Sequence, residues 1–566
     1  MPALFSISVV IGVLTAFAAW GFRLLIGVIH NFAFFGRISP HYDANLHTPE
    51  SSLGWLIIFV PAIGGIAVIW LIKNFAPEAK GHGVPEVMNA IHHNRGRIRG
   101  VVSLVKALAS SVTIGTGGSL GREGPIIQIS SAMSSMFAQW LKISVNQRNL
   151  LIACGASGGI SATFNAPLGG ILFSIELLLL SINSRTLLPV ITSSVIAANV
   201  GRYLIGPEPA FHMPSASTIA EASQPLMILL YFPFACLVGV LALVFIRGIY
   251  FSEDFFDSLP LNPYIRHVIG MLLLGCLIYG MFRTTGHYYV QGVGYSTIQD
   301  ILTSTLTSPW LLLALLIAKF IAVLLTIGSG GSGGVFSPSL YLGATAGGLF
   351  GSALALLMPD MGIDPVSFAL VGMAAMVAAT TSAPLTAAIM TYEMTLDYVV
   401  VLPIMVGVGV AYAVRRHFSK ADIYSLKLMR RGQNLPEGFL ADVNSQIVVN
   451  SVMDSDIHFV GEDEIVTGTE HAYCVINDEG QVIGLVNPVS YRIGKRFRAG
   501  DAMVTDFIII QSGVTLREVL TLFDKHGRVT AIVSRTGKLV KEDVLGVFSS
   551  VHLARTMART SKMYVH

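Results

Sequence analysis

The chain has 566 residues, of which 53% are hydrophobic and only 12% charged, with a formal net charge of +3. A soluble protein of ordinary composition carries roughly 25% charged residues, so a soluble globular fold is excluded. The small charge is spread between loops and tail, and no nucleic-acid partner is expected.

In chain order, residues 3–29, 54–72, 224–247 and 309–327 each hold enough apolar residues to cross a hydrocarbon layer of about 30 Å at about 1.5 Å per residue. The first run is too long for the apolar region of a signal peptide and lacks a basic start, so it reads as a retained helix. Glycines cluster at 63–65, 115–124, 328–334 and 343–351, which in a membrane protein points to close helix packing and interrupted helices. Cys154, Cys236, Cys276 and Cys474 lie far apart without metal-ligand or CxxC spacing. They read as buried small hydrophobes, and no metal site is expected.

Composition changes near residue 415. The stretch RRHFSKADIYSLKLMRRG (415–432) is basic and amphipathic. From about 446 the sequence reads as soluble α/β. AYCVINDEGQVIGLV (472–486) and TAIVSRTGKLVKEDVLGVF (530–548) read as strand, turn, strand, and TLREVLTLFDKHG (515–527) as a helix ended by glycine. SVMDSDI (451–457) lines up weakly with DAMVTDF (501–507). The expected organisation is a transmembrane domain over 1–420 in two halves, about 1–210 and 220–420, then a final helix and linker over 421–445. A cytosolic domain over 446–566 follows, as a degenerate first repeat (446–500) and a second (501–566). Arg95, Arg97 and Arg99, and the cluster Arg415, Arg416, Lys420, Lys427, Arg430 and Arg431, belong on the cytoplasmic side by the positive-inside rule.

The apolar region repeats. TIGTGGSLGREGP (113–125) returns as TIGSGGSGGVFSP (326–338), and Lys106 and Lys319 each stand seven residues before it, all at an offset of 213. GHG (81–83) matches GVG (292–294) at 211, and GASGGISATFNAPLGGILFSIE (155–176) matches GMAAMVAATTSAPLTAAIMTYE (372–393) at 217. In that last pair a proline, Pro167 or Pro384, stands nine residues before a glutamate, Glu176 or Glu393. Two similar halves are expected, with substrate held between them by the ends of broken helices.

GHGVPEV (81–87), GREGPIIQI (121–129) and GGVFSPSLYL (333–342) share one grammar: glycines, a proline, then an apolar run. Proline suits a helix start and glycine lets the backbone approach a ligand, so each reads as a helix N-terminus offering free N–H groups. Such ends carry about half a positive charge and bind anions. A nucleotide P-loop is excluded because no Gly-Lys-Ser/Thr follows, and a zinc protease because HExxH is absent; no enzyme is expected. Glu123 is an intramembrane carboxylate, costly and therefore functional, placed to compete with an anion for those N–H groups. Its structural alternative is an ion pair with Arg122. Lys106 and Lys319 either raise the positive potential of the path or snorkel.

At these residues the sequence resembles the CLC family of chloride channels and chloride/proton exchangers, over nearly the whole chain. GREGP (121–125) matches the family motif, GSGGVFSP (331–338) its second-half counterpart and ADIYSLKL (421–428) its tyrosine-bearing last helix, while the tail resembles paired CBS domains. The resemblance implies an α-helical multi-pass membrane protein, an inverted repeat of two halves with discontinuous helices, plus a small α/β CBS pair. It implies a homodimer in the lipid bilayer of an inner or plasma membrane, passing chloride or a similar small anion, with the tail cytoplasmic. It makes Glu123 the gate and places His82, Gly83, Arg122, Gly124, Val335, Phe336 and Tyr424 at the anion. The amides of Val335 and Phe336 would hold the central ion and the Tyr424 hydroxyl would reach it from inside.

Two departures stand out against that family. Its GSGIP is GHGVP here, so His82 replaces a serine, and in ILFSIELL (171–178) Leu177 occupies the position of the proton-carrying glutamate. Leucine carries no proton, so channel-like or weakly coupled conduction is expected, with Glu176 or His82 as substitutes on a proton path. The alternatives are a chloride/proton antiporter, or the same fold with fluoride or nitrate preference. In the tail, GLVNPVS (484–490) and GVFSSVH (546–552) fall where CBS pairs hold adenine nucleotides; Ser549 fits, but Ser490 and His552 replace the aspartate. A structural or dimerising tail is favoured over one that binds adenine nucleotide, and no other cofactor is expected.

Overall fold

A computed structural model describes residues 2–179, 182–213, 225–396, 398–433, 448–467, 472–486, 496–527 and 530–549. The chain divides into two compact units, Met1–Leu435 and Pro436–His566.

The first unit is helical and built twice. Its first half runs α1 (Pro2–Phe35), α2 (Val60–Phe75), α3 (Val84–His92), α4 (Gly100–Gly115), α5 (Glu123–Trp140), α6 (Val145–Phe164), α7 (Pro167–Leu177) and α8 (Ser184–Ile205). The second runs α9 (Pro225–Ser258), α10 (Pro263–Thr285), α11 (Tyr295–Leu302), α12 (Pro309–Gly328), α13 (Phe336–Leu357), α14 (Pro365–Thr381), α15 (Pro384–Thr395) and α16 (Val401–Phe418). Among the described residues, eight helices are long and apolar enough to cross a membrane. By contrast α3, α7, α11 and α15 have 9, 11, 8 and 12 residues and end inside any bilayer they enter. At the α13–α14 contact, a Cβ on Gly343 or Gly347 would overlap the Gly372 or Phe368 carbonyl, so glycine buys direct backbone contact there.

Matching residues of the two halves make matching contacts, and the contacts are crossed. Ser332 Oγ donates to the Ala79 carbonyl (2.7 Å) and Ser119 Oγ to that of Val290 (2.8 Å). The Ser332 N–H meets Thr113 Oγ1 (3.4 Å) and the Ser119 N–H meets Thr326 Oγ1 (3.2 Å). Such reciprocity requires a two-fold relation between the halves. Glu176, late in α7, accepts from the Leu385 and Thr386 N–H groups (2.9 and 2.7 Å) that open α15. Glu393, late in α15, accepts from the Leu168 and Gly169 N–H groups (3.0 and 2.6 Å) that open α7. The equivalent helices α7 and α15 are therefore antiparallel, and the halves are inverted. A carboxylate at a helix start satisfies orphan N–H groups and complements the helix dipole.

Two expectations change. Lys106 and Lys319 do not snorkel: both are fully buried. Lys106 Nζ donates to the Ala79 and Gly81 carbonyls (3.0 and 2.7 Å), and Lys319 Nζ to those of Val290 and Gly292 (3.4 and 3.0 Å). The basic stretch 415–432 spans the end of α16 and a further short helix. The chain leaves α16 in extended conformation at Ser419 and restarts at α17 (Ser425–Arg430), where Asp422 Oδ1 accepts the Tyr424 and Ser425 N–H groups (2.7 and 2.8 Å). Cys154 and Cys474 are buried, but Cys236 is half-buried and Cys276 is exposed on α10, where an apolar surrounding does not penalise a thiol.

The second unit carries two similar three-stranded sheets. Strands β1 (Ile457–Gly461), β3 (Ala472–Ile476) and β4 (Val482–Val486) form one, while β2 (Ile465–Thr467) pairs β5 (Arg496–Arg498). After α18 (Ala499–Ala502), strands β6 (Ile508–Gln511), β7 (Thr530–Ser534) and β8 (Val544–Ser549) form the other. In each sheet the first pair is parallel and the second antiparallel. The β6–β7 crossover is α19 (Leu516–His526), opened by a Thr515–Glu518 capping box and closed by Gly527 in the left-handed region. The β1–β3 connection has β2 in its place among the described residues. The weak repeat is physical: Met453 packs against Gly546 as Met503 packs against Gly484. In the β7–β8 turn the Thr536 and Ser534 hydroxyls donate to Asp543 (2.6 and 2.7 Å) and hold its carboxyl well below the usual range. Ser549 ends β8 and is buried; Ser490 and His552 lie outside the described residues.

Candidate functional site

The three glycine stretches meet. The Gly81 N–H donates to Gly331 (3.1 Å) and the Gly333 N–H to Gly81 (3.3 Å), while Gly121 and Gly334 exchange N–H···O bonds of 2.8 and 2.7 Å. These short bridges bring the starts of α3, α5 and α13 to one place. Glycine is needed at two points: Gly83 has φ +89°, and a Cβ on Gly124 would overlap the His82 carbonyl. Among the described residues the Gly124, Val335 and Phe336 N–H groups have no acceptor. Uncapped helix starts inside an apolar unit carry partial positive charge and attract anions in general.

Glu123, the first residue of α5, is buried with its carboxylate at the start of α13. Oε1 accepts from the Tyr295 hydroxyl (2.5 Å) and the Ser337 hydroxyl, and Oε2 lies 3.4 Å from the Ser337 N–H. The ion pair with Arg122 is not formed. The Arg122 guanidinium lies over the Tyr295 ring at 5.3 Å and lines a vestibule of about 350 Å³ with Arg23, Asp43, Asn45, Asn165 and His212. The far end of α5 touches the basic loop, through Gln139 Nε2 and the Ile98 carbonyl (3.1 Å), so the vestibule opens away from that loop.

His82 is fully buried, and among the described residues neither ring nitrogen has a hydrogen-bond partner. Its ring meets Tyr250 edge-on at 6.4 Å. The Tyr250 hydroxyl donates to the Ile423 carbonyl (2.6 Å), and the Ile423 N–H donates to Thr380 (3.0 Å), which fixes the approach of the buried Tyr424. Lys106 and Lys427 are the cations facing His82. Lys427 and Arg431 reach Glu86 on α3 at 4.0 and 2.8 Å. Leu177 is buried in the apolar core, and Glu176 is occupied by three donors, the third being the Thr386 hydroxyl at 2.6 Å. Sequence reasoning missed Tyr295, Ser337 and Tyr250; the mismatch of Tyr295 and Ser337 with their twins Val84 and Gly124 was the available signal.

Inverted halves, broken helices and converging uncapped helix starts with one buried carboxylate define a membrane transport protein for anions. The model of the voltage gated chloride channel family matches residues 64–416. The H(+)/Cl(-) exchange transporter ClcA of Vibrio campbellii is 34% identical over 426 residues, covering 71% of this chain and 88% of that one. The voltage-gated ClC-type chloride channel ClcB of Escherichia coli O9:H4 is 32% identical, covering 74% and 97%. Among solved structures, a slow cyanobacterial Cl⁻/H⁺ antiporter aligns with TM-score 0.66 and 26% identity over 76% of this chain and 98% of that one. The chain belongs to the voltage-gated chloride channel, or CLC, family and transports anions.

Proposed function

We propose that the protein conducts chloride passively, or with weak proton coupling, through a pathway gated by Glu123. The observation that carries this reading is the Glu123 carboxylate at the Ser337 N–H, beside the acceptor-free N–H groups of Val335 and Phe336. A carboxylate there occupies ground that an anion would take, and a protonated or displaced side chain frees it. Gly83, Gly124, Val335 and Phe336 supply backbone donors, Arg122 attracts the ion from the vestibule, and Tyr424 meets it from the other side. Leu177 offers no proton site, and Glu176, held by the start of α15, acts as an anchor and not as a carrier. Chloride and proton fluxes measured together in reconstituted vesicles test this. Sustained uphill proton movement at fixed stoichiometry would establish the chloride/proton antiporter instead.

His82 supports a second reading on selectivity. Its unpartnered nitrogens stand where an imidazole N–H can reach the ion, and a buried donor without a partner is costly unless a ligand supplies one. Competition by fluoride and nitrate in a chloride flux assay separates a strict chloride pathway from a broader one. The tail is read as a CBS pair with a structural or dimerising role, on the cytoplasmic face with the basic loops, and the assembly as a homodimer in an inner or plasma membrane. Buried Ser549 gives adenine nucleotide little purchase. Crosslinking in vesicles and nucleotide titration of the full chain test both.

A further inference from the structure

We propose that Tyr295 and Ser337 form a hydroxyl clasp that holds the ionised Glu123 side chain in its seat and sets the pH at which the gate releases. The proposal rests on the reading of Glu123 as a gate.

The clasp is built for a carboxylate. Two hydroxyls converge on Oε1 and a backbone N–H faces Oε2, so every neighbour within hydrogen-bond reach donates. A neutral carboxyl would turn its own O–H toward one of these donors. The converging donors thus hold a carboxylate more firmly than a carboxyl that carries its own proton. The vacant seat is partly self-satisfied. Tyr295 Oη and Ser337 Oγ lie 3.1 Å apart, so once Glu123 leaves one hydroxyl donates to the other, and the remaining O–H and the Ser337 N–H are left for an incoming anion.

The clasp breaks the symmetry of the two halves. Tyr295 stands where the first half has Val84, and Ser337 where it has Gly124. Neither twin carries a hydroxyl, so the frame does not require one. The Tyr295 ring is fixed by Phe211, edge-on at 5.2 Å, and by the Arg122 guanidinium on its face. Phenylalanine would keep both contacts and lose only the donor. Among the described residues, the charged and titratable groups that face Glu123 are Tyr295 on α11, Lys319 on α12 and Tyr424 before α17, with Arg122 before α5 acting on Tyr295. Lys319 is itself held by the carbonyls of Val290 and Gly292, just before Tyr295, and stays in place when the hydroxyl is removed.

The test is the pH profile of chloride efflux from vesicles carrying the wild type, Tyr295→Phe, Ser337→Ala, Glu123→Gln and the Tyr295→Phe/Glu123→Gln pair. Loss of one donor to the carboxylate is expected to move the midpoint of acid activation to higher pH by about one unit and to raise flux at neutral pH several-fold. Ser337→Ala shifts it in the same direction, and Tyr295→Phe adds nothing in the Glu123→Gln background. Unmoved midpoints in both single variants, or flux lowered equally at every pH, overturn the clasp while Glu123→Gln still reports the gate. If Glu123→Gln leaves flux and acid response at wild-type levels, the gate reading falls and takes the clasp with it.

Discussion

Lys106 and Lys319 hold matching pairs of carbonyls in the two halves, and Glu176 and Glu393 close matching helix starts. A few residues away the halves stop matching. Glu123 has Phe336 as its twin, His82 has Val293, and Tyr295 and Ser337 have Val84 and Gly124. The frame is symmetric because inverted halves need the same interior supports. The proposed pathway is asymmetric because, on that proposal, one ion needs one gate. Symmetric residues should therefore act on stability and asymmetric residues on transport.

The largest expected effect tests the asymmetric set. Glu123→Ala should raise chloride flux at neutral pH by roughly tenfold or more, from the loss of charge-assisted bonds worth about 1.5–3 kcal/mol each, and abolish acid activation. Vesicle efflux across a pH series checks this; wild-type flux with an intact acid response removes the gate. Next, Glu176→Gln and Glu393→Gln should each lower stability in detergent by about 2 kcal/mol, and by similar amounts. If Glu176→Gln alone erased proton movement at unchanged stability, Glu176 would be a carrier and the symmetry argument would break. Lys106→Met and Lys319→Met should each cost about 1–2 kcal/mol by orphaning buried carbonyls, read as paired shifts in thermal midpoint. A clear inequality would mean that one lysine also serves the ion. The smallest effect is on His82. His82→Val, which copies the second half, should weaken apparent anion affinity about fivefold, for one hydrogen bond of about 1 kcal/mol, and flatten the preference among chloride, nitrate and fluoride. Unchanged competition would leave His82 a packed side chain.

The repeat was legible because offsets of 211 to 217 survive in glycines, prolines and lysines, whose backbone and burial demands are hard to meet otherwise. The helix starts after the three glycine stretches were legible for the same reason. The clasp was not: Tyr295 and Ser337 stand 172 and 214 residues from Glu123, and no periodicity shows where a hydroxyl points. The anchoring role of Glu176 was half visible. The Pro-to-Glu spacing recurs in both halves, but that each glutamate serves the other half's helix follows only from inversion. Charge and amphipathicity run through 415–432 and mark no break, while Asp422 captures two N–H groups and starts α17 at Ser425.

The exchanged glutamates also bear on how the chain is made. The first N–H groups of α7 wait for a carboxylate 225 and 224 residues further on. At about 5–20 residues per second that is a delay of roughly 10–45 s in synthesis. During it the first half sits in its membrane with an open, dipolar end facing the place its twin will fill. Insertion of the second half is then a docking onto a prepared partner, and a chain stopped before residue 393 should remain a substrate for membrane quality control.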